Sequence, residues 1–270
     1  MKIGSLFSGI GGLELGLEWA GVGETTWQVE QDPYCRAVLA KHWPRVDRSV
    51  TDVRCAGVAT LPPVGLICGG FPCQDVSSAG DGAGLDGARS GLWWEFHRCI
   101  DELRPRVAVV ENVASGARRW LCAVRGSLHE LGYRTRALGI AGVDVGAPHL
   151  RRRIFVVAYA DRGRQLQQSG AERSERRRAC DGSIEQLFER DGGAERPTEP
   201  CLGGGPHGLP RRLDGHRWPA PQGAAQHEWE PPRQAHGIPN RAARLKALGN
   251  AVMPQMAYIV GLAIRQDLGA

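Results

Sequence analysis

The chain has 270 residues, 42% of them hydrophobic, and a formal net charge of +5. That length suits one large or two modest domains with a real core, and no apolar run is long enough to read as a bilayer span. The opening "MKIGSLFSGIGG" is too short in apolar length and too interrupted by glycine for a signal peptide, so a cytoplasmic location is expected, and the positive charge permits a polyanionic partner without requiring one.

The first 160 residues alternate between strand-like and helix-like segments. "KIGSLF" reads as a strand and "GLELGLEWAG" as a helix closed by Gly21. "TTWQVE" is a strand, and "PYCRAVLAKHW" is a helix with Pro33 at its start. "VGLICGG" is a strand, "SGLWWEFHRCIDEL" a helix, "RVAVVEN" a strand, "WLCAVRGSLHELG" a helix and "RIFVVAYA" a last strand. This rhythm predicts a mostly parallel sheet covered by helices. From 162 to 236 the composition turns to Arg, Glu, Gln, Gly and Pro with no apolar period, which predicts an irregular segment or one ordered on a partner. Order returns near "GIPNRAARLKALGNAV", and the end reads as a helix starting near Pro254. The eight cysteines are scattered, with no CxxC pair and no Cys/His zinc spacing. Most are expected to be free thiols in a core, and no metal is called for.

The first strand runs into "FSGIGG", Phe7 to Gly12, which opens the first helix. Glycines there let a ligand approach the backbone at the positive end of a helix. The dinucleotide fingerprint would put a third glycine at position 14, but Glu14 stands there, and its carboxylate would repel a pyrophosphate. Glu30 ends the second strand at the usual doubly wound spacing, about 20 residues on, where an acid accepts from ribose hydroxyls. Asp52 in "SVTDV" is placed to face an adenine amino group. A nucleoside without phosphates is the common requirement, and S-adenosylmethionine meets it.

"VGLICGG" leads into "FPCQ", so Cys73 lies just past a strand end, where open α/β sheets bind ligands. The bland reading is a packed thiol. Against it, Pro72 fixes the local backbone, and the strand "VAVV" delivers Glu111 and Asn112 to the same sheet edge.

Together these stretches resemble the DNA (cytosine-5)-methyltransferases of bacteria and phages. "FSGIGG", Glu30, Asp52, "GGFPCQ", "ENV", "RRRIFVVA" and "LGNAV" occur in the family's order, nearly all outside 162–236. The resemblance implies a Rossmann-like sheet for S-adenosylmethionine with a small irregular target recognition region. It places catalysis and cofactor binding in 1–160, target recognition in 161–249, and a helix completing the catalytic domain in 250–270.

The resemblance also implies roles. The thiolate of Cys73 would attack carbon 6 of a cytosine, because carbon 5 is otherwise a poor nucleophile. Glu111 would contact ring N3 and the exocyclic amine, stabilising the charge that develops. Asn112 would hold that loop in place. Carbon 5 then takes the sulfonium methyl, loses its proton, and Cys73 is eliminated. His149, Arg151 and Arg153 alternate in "HLRRR", with His149 where the family usually has glutamine. Arg153 is assigned to orient Glu111 and Arg151 to contact the target base or its phosphate. Phe7, Ser8, Gly9, Ile10, Gly11, Gly12, Glu30, Asp52, Val53, Pro72, Leu92, Asn250 and Val252 are assigned to the cofactor. Ser77 and Arg89, in the loop Asp75–Gly91, are assigned with His149, Arg241 and Arg244 to DNA, that loop being read as a lid closing after the base leaves the stack.

Double-stranded DNA is the expected partner, a monomer the default, and a cognate restriction endonuclease or a phage origin would suit the compact size. Three other readings stay open: a non-catalytic nucleic-acid-binding relative, an RNA cytosine-5 methyltransferase, and a small-molecule methyltransferase. The "CFT" element typical of the RNA enzymes is missing, and a small-molecule enzyme would not need Cys73 with "ENV". The arginines of 162–236 could neutralise phosphates, and Trp218, Trp229 and His236 could stack or wedge, but no target site is legible in that segment.

Overall fold

The computed structural model describes residues 1–72, 91–147, 149–161 and 237–269, with Leu187, Ala220 and 225–229 besides. The irregular segment expected at 162–236 otherwise lies outside the described residues, as do Cys73, Ser77 and Arg89.

The described elements are β1 (Lys2–Leu6), α1 (Gly12–Trp19), β2 (Glu24–Val29), α2 (Pro33–His42), β3 (Leu66–Gly70), α3 (Gly91–Leu103), β4 (Val107–Val113), α4 (Ala117–Glu130), β5 (Tyr133–Ile140), β6 (Arg153–Ala160), α5 (Arg241–Asn250) and α6 (Pro254–Leu268). The strands form one sheet in the order β2-β1-β3-β4-β6-β5. The pairs β1–β2, β1–β3 and β3–β4 are parallel, as the alternation predicts. β6 lies antiparallel to both its neighbours. Two features differ from the sequence reading. β5 was not expected: its "YRTRALGI" carries exposed Arg134 and Arg136, which blunt a sheet edge but hide the apolar pattern of a strand. And β6 follows β5 with no crossover helix between them among the described residues, so it returns antiparallel.

Side-chain alternation along the strands builds two cores. On one face Ile67, Ala108 and Val110 meet α3 and α4 through Trp93, Phe96, Ile100, Trp120 and Val124. On the other, Leu66, Cys68, Val107 and Val109 meet α1 and α6 through Leu13, Leu17, Met256, Val260 and Ile264. The stretch Arg241–Leu268 is apolar enough by composition to cross a membrane. Here α5 ends at Asn250, α6 begins at Pro254, and the apolar face of α6 lies against α1 in the core.

Local chemistry sets the helix starts. Asp32 caps α2 by accepting from the N–H groups of Tyr34 (2.9 Å) and Cys35 (3.2 Å), with Pro33 in the first turn. α1 starts from Gly11, whose φ of 86° is left-handed and suits glycine. Gly12 then sits so close to α6's lead-in that a Cβ would fall 2.1 Å from the Val252 carbonyl oxygen.

Candidate active site

The carboxyl ends of β1, β3 and β4 and the junction between α5 and α6 enclose one cleft. Ser5, Phe7, Ser8, Gly9, Gly12, Leu13 and Glu14 line it from β1 and α1. Gly69 and Gly70 line it from β3, Glu111 from β4, and Asn250, Ala251 and Val252 from the helix junction. The strand register explains the gathering, since β1 pairs Leu6 with Gly69, and β3 pairs Gly70 with Glu111. Gly69 and Gly70 are required by that approach: a Cβ on Gly69 would fall 2.2 Å from the Leu6 carbonyl oxygen, and one on Gly70 would fall 2.5 Å from Glu111 Oε2.

The glycine loop is held from below. The Gly9 N–H donates to Glu30 Oε2 at 2.7 Å, and the Asp32 N–H donates to Glu30 Oε1 at 2.8 Å. The Ser8 hydroxyl donates to Ser5 Oγ at 2.9 Å. A Cβ on Gly9 would meet nothing within 4 Å, so the loop is open on that side. Phe7 packs its ring 6.2 Å from that of Phe96.

Glu111 is 7% exposed. Its Oε1 lies 2.8 Å from Arg153 Nε. Burial pushes its carboxyl up to about 7 against the pull of Arg153 and Arg151. Asn112, beside it, donates from Nδ2 to the Phe71 carbonyl at 3.3 Å and accepts from the Val113 N–H at 2.8 Å. The amide therefore ties the end of β4 to the backbone one residue before Pro72.

Arg151 turns toward its own chain. Its Nη2 donates to the carbonyls of Gly249 (2.9 Å) and Ala251, and its Nε is buried without a partner. Desolvation and the neighbouring Arg153 lower its guanidinium from the usual range. Arg151 thus pins the helix junction that walls the cleft. His149 is exposed, with its imidazole against Gly142.

Of the residues assigned to the cofactor, Phe7, Ser8, Gly9, Gly12, Asn250 and Val252 line this cleft. Ile10 and Gly11 belong to the same loop, and Glu30 is bonded to it. Asp52 is not in that lining: it caps the turn Val53–Cys55 and pairs with Arg54 at 2.7 Å, which holds its carboxyl below the usual carboxylate range, and it also meets Gln31, the neighbour of Glu30. Val53 is buried in the core, Leu92 packs against that core, and Pro72 is half-buried. Arg241 and Arg244 are exposed on α5. Ser5, Leu13, Glu14, Gly69, Gly70 and Ala251 also line the cleft but carry no assignment from the sequence. Gly69 and Gly70 carried a signal, standing inside the quoted "GGFPCQ". Glu14 was noticed only as an obstacle to phosphate.

Among the described residues, the lining has features that bear on what the cleft can hold. Its glycine loop is open at Gly9, an acid stands at the end of β2, and no basic side chain lines it.

Comparison with known proteins adds to this geometry. The family profile of C-5 cytosine-specific DNA methylases matches residues 1–197. Type II methyltransferase M2.BsuMI of Bacillus subtilis is 36% identical over 168 residues, covering 58% of this chain and 42% of that protein. M.HhaI of Haemophilus parahaemolyticus is 30% identical over 158 residues, covering 57% and 47%. M.AquIA of Picosynechococcus is 32% identical over 177 residues, covering 58% and 71%. The chain spans about half the length of the first two relatives. Among solved structures, a protein described as a DNA modification methyltransferase of an E. coli prophage superposes with a TM-score of 0.50 at 28% identity, covering 59% of this chain and 47% of that one. The Entamoeba histolytica methyltransferase EhMeth shares the fold, with a TM-score of 0.51 at 17% identity, covering 62% and 55%.

Proposed function

Because the chain belongs to the C-5 cytosine-specific DNA methylase family, we propose that it methylates carbon 5 of a cytosine flipped out of duplex DNA. S-adenosylmethionine, bound in the cleft, would supply the methyl group on its sulfonium. The observation that carries this reading is the ion pair of Arg153 with Glu111, a buried carboxyl in the lining of the glycine-loop cleft.

The residues divide the work. Gly9, Gly12 and Val252 shape the cofactor cleft, and Glu30 offers its remaining lone pairs to ribose hydroxyls. Glu111, poised near neutrality, holds or donates a proton at ring N3 as the Cys73 sulfur bonds to carbon 6. Arg153 fixes the orientation of Glu111 by their 2.8 Å contact. Asn112 anchors the Phe71 carbonyl and so sets the backbone leading into Pro72 and Cys73. After methyl transfer the carbon-5 proton leaves, the carbon 5–carbon 6 double bond re-forms, and the sulfur departs from carbon 6. Arg151 acts here on the wall of the cleft rather than on the base. Arg241 and Arg244, exposed on α5, together with His149, Ser77 and Arg89, are assigned to the DNA backbone, and target selection to 161–249. A bacterial or phage-infected cytoplasm is the proposed setting, with the protein acting as a monomer.

The chemistry can be trapped. With 5-fluorocytosine in a duplex substrate there is no carbon-5 proton to lose, so the protein should remain covalently attached after denaturation, and only when S-adenosylmethionine is present. Absence of that adduct for the wild-type chain, or its persistence in Cys73→Ser, would remove the covalent mechanism.

A further inference from the structure

Glu14 is fully buried in the first turn of α1, yet it lines the cleft. Its Oε1 accepts a long hydrogen bond from Gln28 Nε2 at 3.4 Å, while Oε2 has no hydrogen-bond partner. Leaving a buried carboxylate oxygen unpaired is costly, so such a group calls for an explanation. Ser5, the helix backbone, Gln28 and Ser8 ease the charge on the carboxyl, yet none of them bonds Oε2. Gln28 on β2 is itself committed to Arg48, which donates to Gln28 Oε1 at 2.8 Å. Ser5 of β1 and Ser8 of the loop are bonded to each other. Cys68 faces it from β3, Glu18 stands one turn along the helix, and Glu111 lines the far side of the cleft. From α6, the core side chains packed against α1 are apolar. Burial pushes the Glu14 carboxyl up to about 7, eased by Ser5, Gln28 and Ser8.

The start of α1 adds a second, opposite feature. Gly11 supplies no side-chain cap, and the N–H groups of a helix's first turn have no intrahelical acceptor. One end of the cleft therefore offers a positive backbone terminus beside an orphaned carboxylate oxygen. A zwitterionic amino acid presents the matching pair of charges.

We propose that Glu14 Oε2 accepts from the α-ammonium group of the cofactor's amino-acid arm, while the N-terminus of α1 takes the carboxylate of the same arm. This rests on the cofactor reading above. An ammonium fits better than the sulfonium, because an unpartnered oxygen needs an N–H donor and a sulfonium has none. Glu14 is then a recognition residue of the glycine loop, at the place where a dinucleotide site would have glycine.

Calorimetric titration of the full chain tests it with three ligands: S-adenosylmethionine, S-adenosylhomocysteine, and 5′-methylthioadenosine, which has no amino-acid arm. Glu14→Gln keeps the shape and removes the charge. It should weaken the first two by about tenfold or more, the scale of a lost charge-assisted hydrogen bond, and leave the third within about twofold. Equal weakening of all three, or of none, overturns the proposal. On the wild-type chain near pH 6.5, S-adenosylhomocysteine should release a proton on binding and 5′-methylthioadenosine should not; equal release overturns the proposal without relying on the variant. Failure of the wild-type chain to bind any of the three would overturn the cofactor reading as well.

Discussion

Glu111 and Glu14 are two buried carboxyls of one cleft, both pushed to about 7 by desolvation. Their partners set them apart. Glu111 keeps an arginine at 2.8 Å, whereas the groups easing Glu14 are uncharged, the Gln28 amide at 3.4 Å and the hydroxyls of Ser5 and Ser8 among them. Replacing Glu111 with Gln removes a charge-stabilising contact without changing shape. The methyl-transfer rate should fall by about 10²–10³, measured in single-turnover assays; an unchanged rate would remove Glu111 from the mechanism. The same burial predicts a pH effect on stability. An acid whose pKa is raised from the ordinary 4.5 to about 7 by burial holds its proton more tightly when folded. Its contribution is intact below 4.5 and is lost as pH rises to 7. A shift of this size corresponds to about 3 kcal/mol. Ligand-free Glu14→Gln should therefore be more stable than wild type at pH 8, by about 1–3 kcal/mol, and should show no gain at pH 4. Denaturant titration at the two values checks this, and a gain at pH 4 with none at pH 8 would reverse the sign.

The elements depend on close backbone approach. α1 meets the α5–α6 junction at Gly12, and β1 meets β3 at Gly69. An added methyl at Gly12 would strike the Val252 carbonyl, which no rotamer change can move aside. Gly12→Ala should cost about 1–3 kcal/mol and weaken cofactor binding by displacing the cleft wall. Gly9→Ala meets no atom but carries a left-handed φ of 56°, with a cost of roughly 1–2 kcal/mol. Thermal unfolding with a cofactor titration separates the two; equal effects on the wall would contradict this packing. The alternating strands and helices of the first half were legible because their periods are clean and their end signals conventional, as at Pro33 and Gly21. β5 was not, since Arg134 and Arg136 interrupt its pattern. Nor was α5, which buries only Ala247 and so has little apolar face to read. The pairing of Lys246 on that helix with Asp32 at 2.9 Å joins residues 214 positions apart, beyond any local signal.

Across the whole molecule, the sheet brings distant motifs to one edge. Glu111 and Gly70 are neighbours because β3 and β4 are parallel and in register, and Arg153 reaches Glu111 because β6 runs back along β4. Sequence order alone signalled that these motifs belong together. It did not show that Arg151 grips the Gly249 and Ala251 carbonyls, nor that Asp52 pairs with Arg54, because both depend on how loops turn. α5 runs across the expected boundary at 249/250, with exposed Arg241 and Arg244 at its start and the cleft at its end. If target selection resides in 161–249, replacing 165–234 with a short flexible linker should preserve cofactor affinity and abolish site-specific methylation. Retained site specificity would move recognition to the catalytic half.

The most direct measurement is bisulfite sequencing of plasmid DNA from cells expressing this chain, beside a Cys73→Ser control. A DNA cytosine-5 methyltransferase should leave methylcytosine within a fixed short sequence, absent from the control. Unmethylated DNA from a folded, cofactor-binding protein, or methylation undiminished by Cys73→Ser, would contradict it.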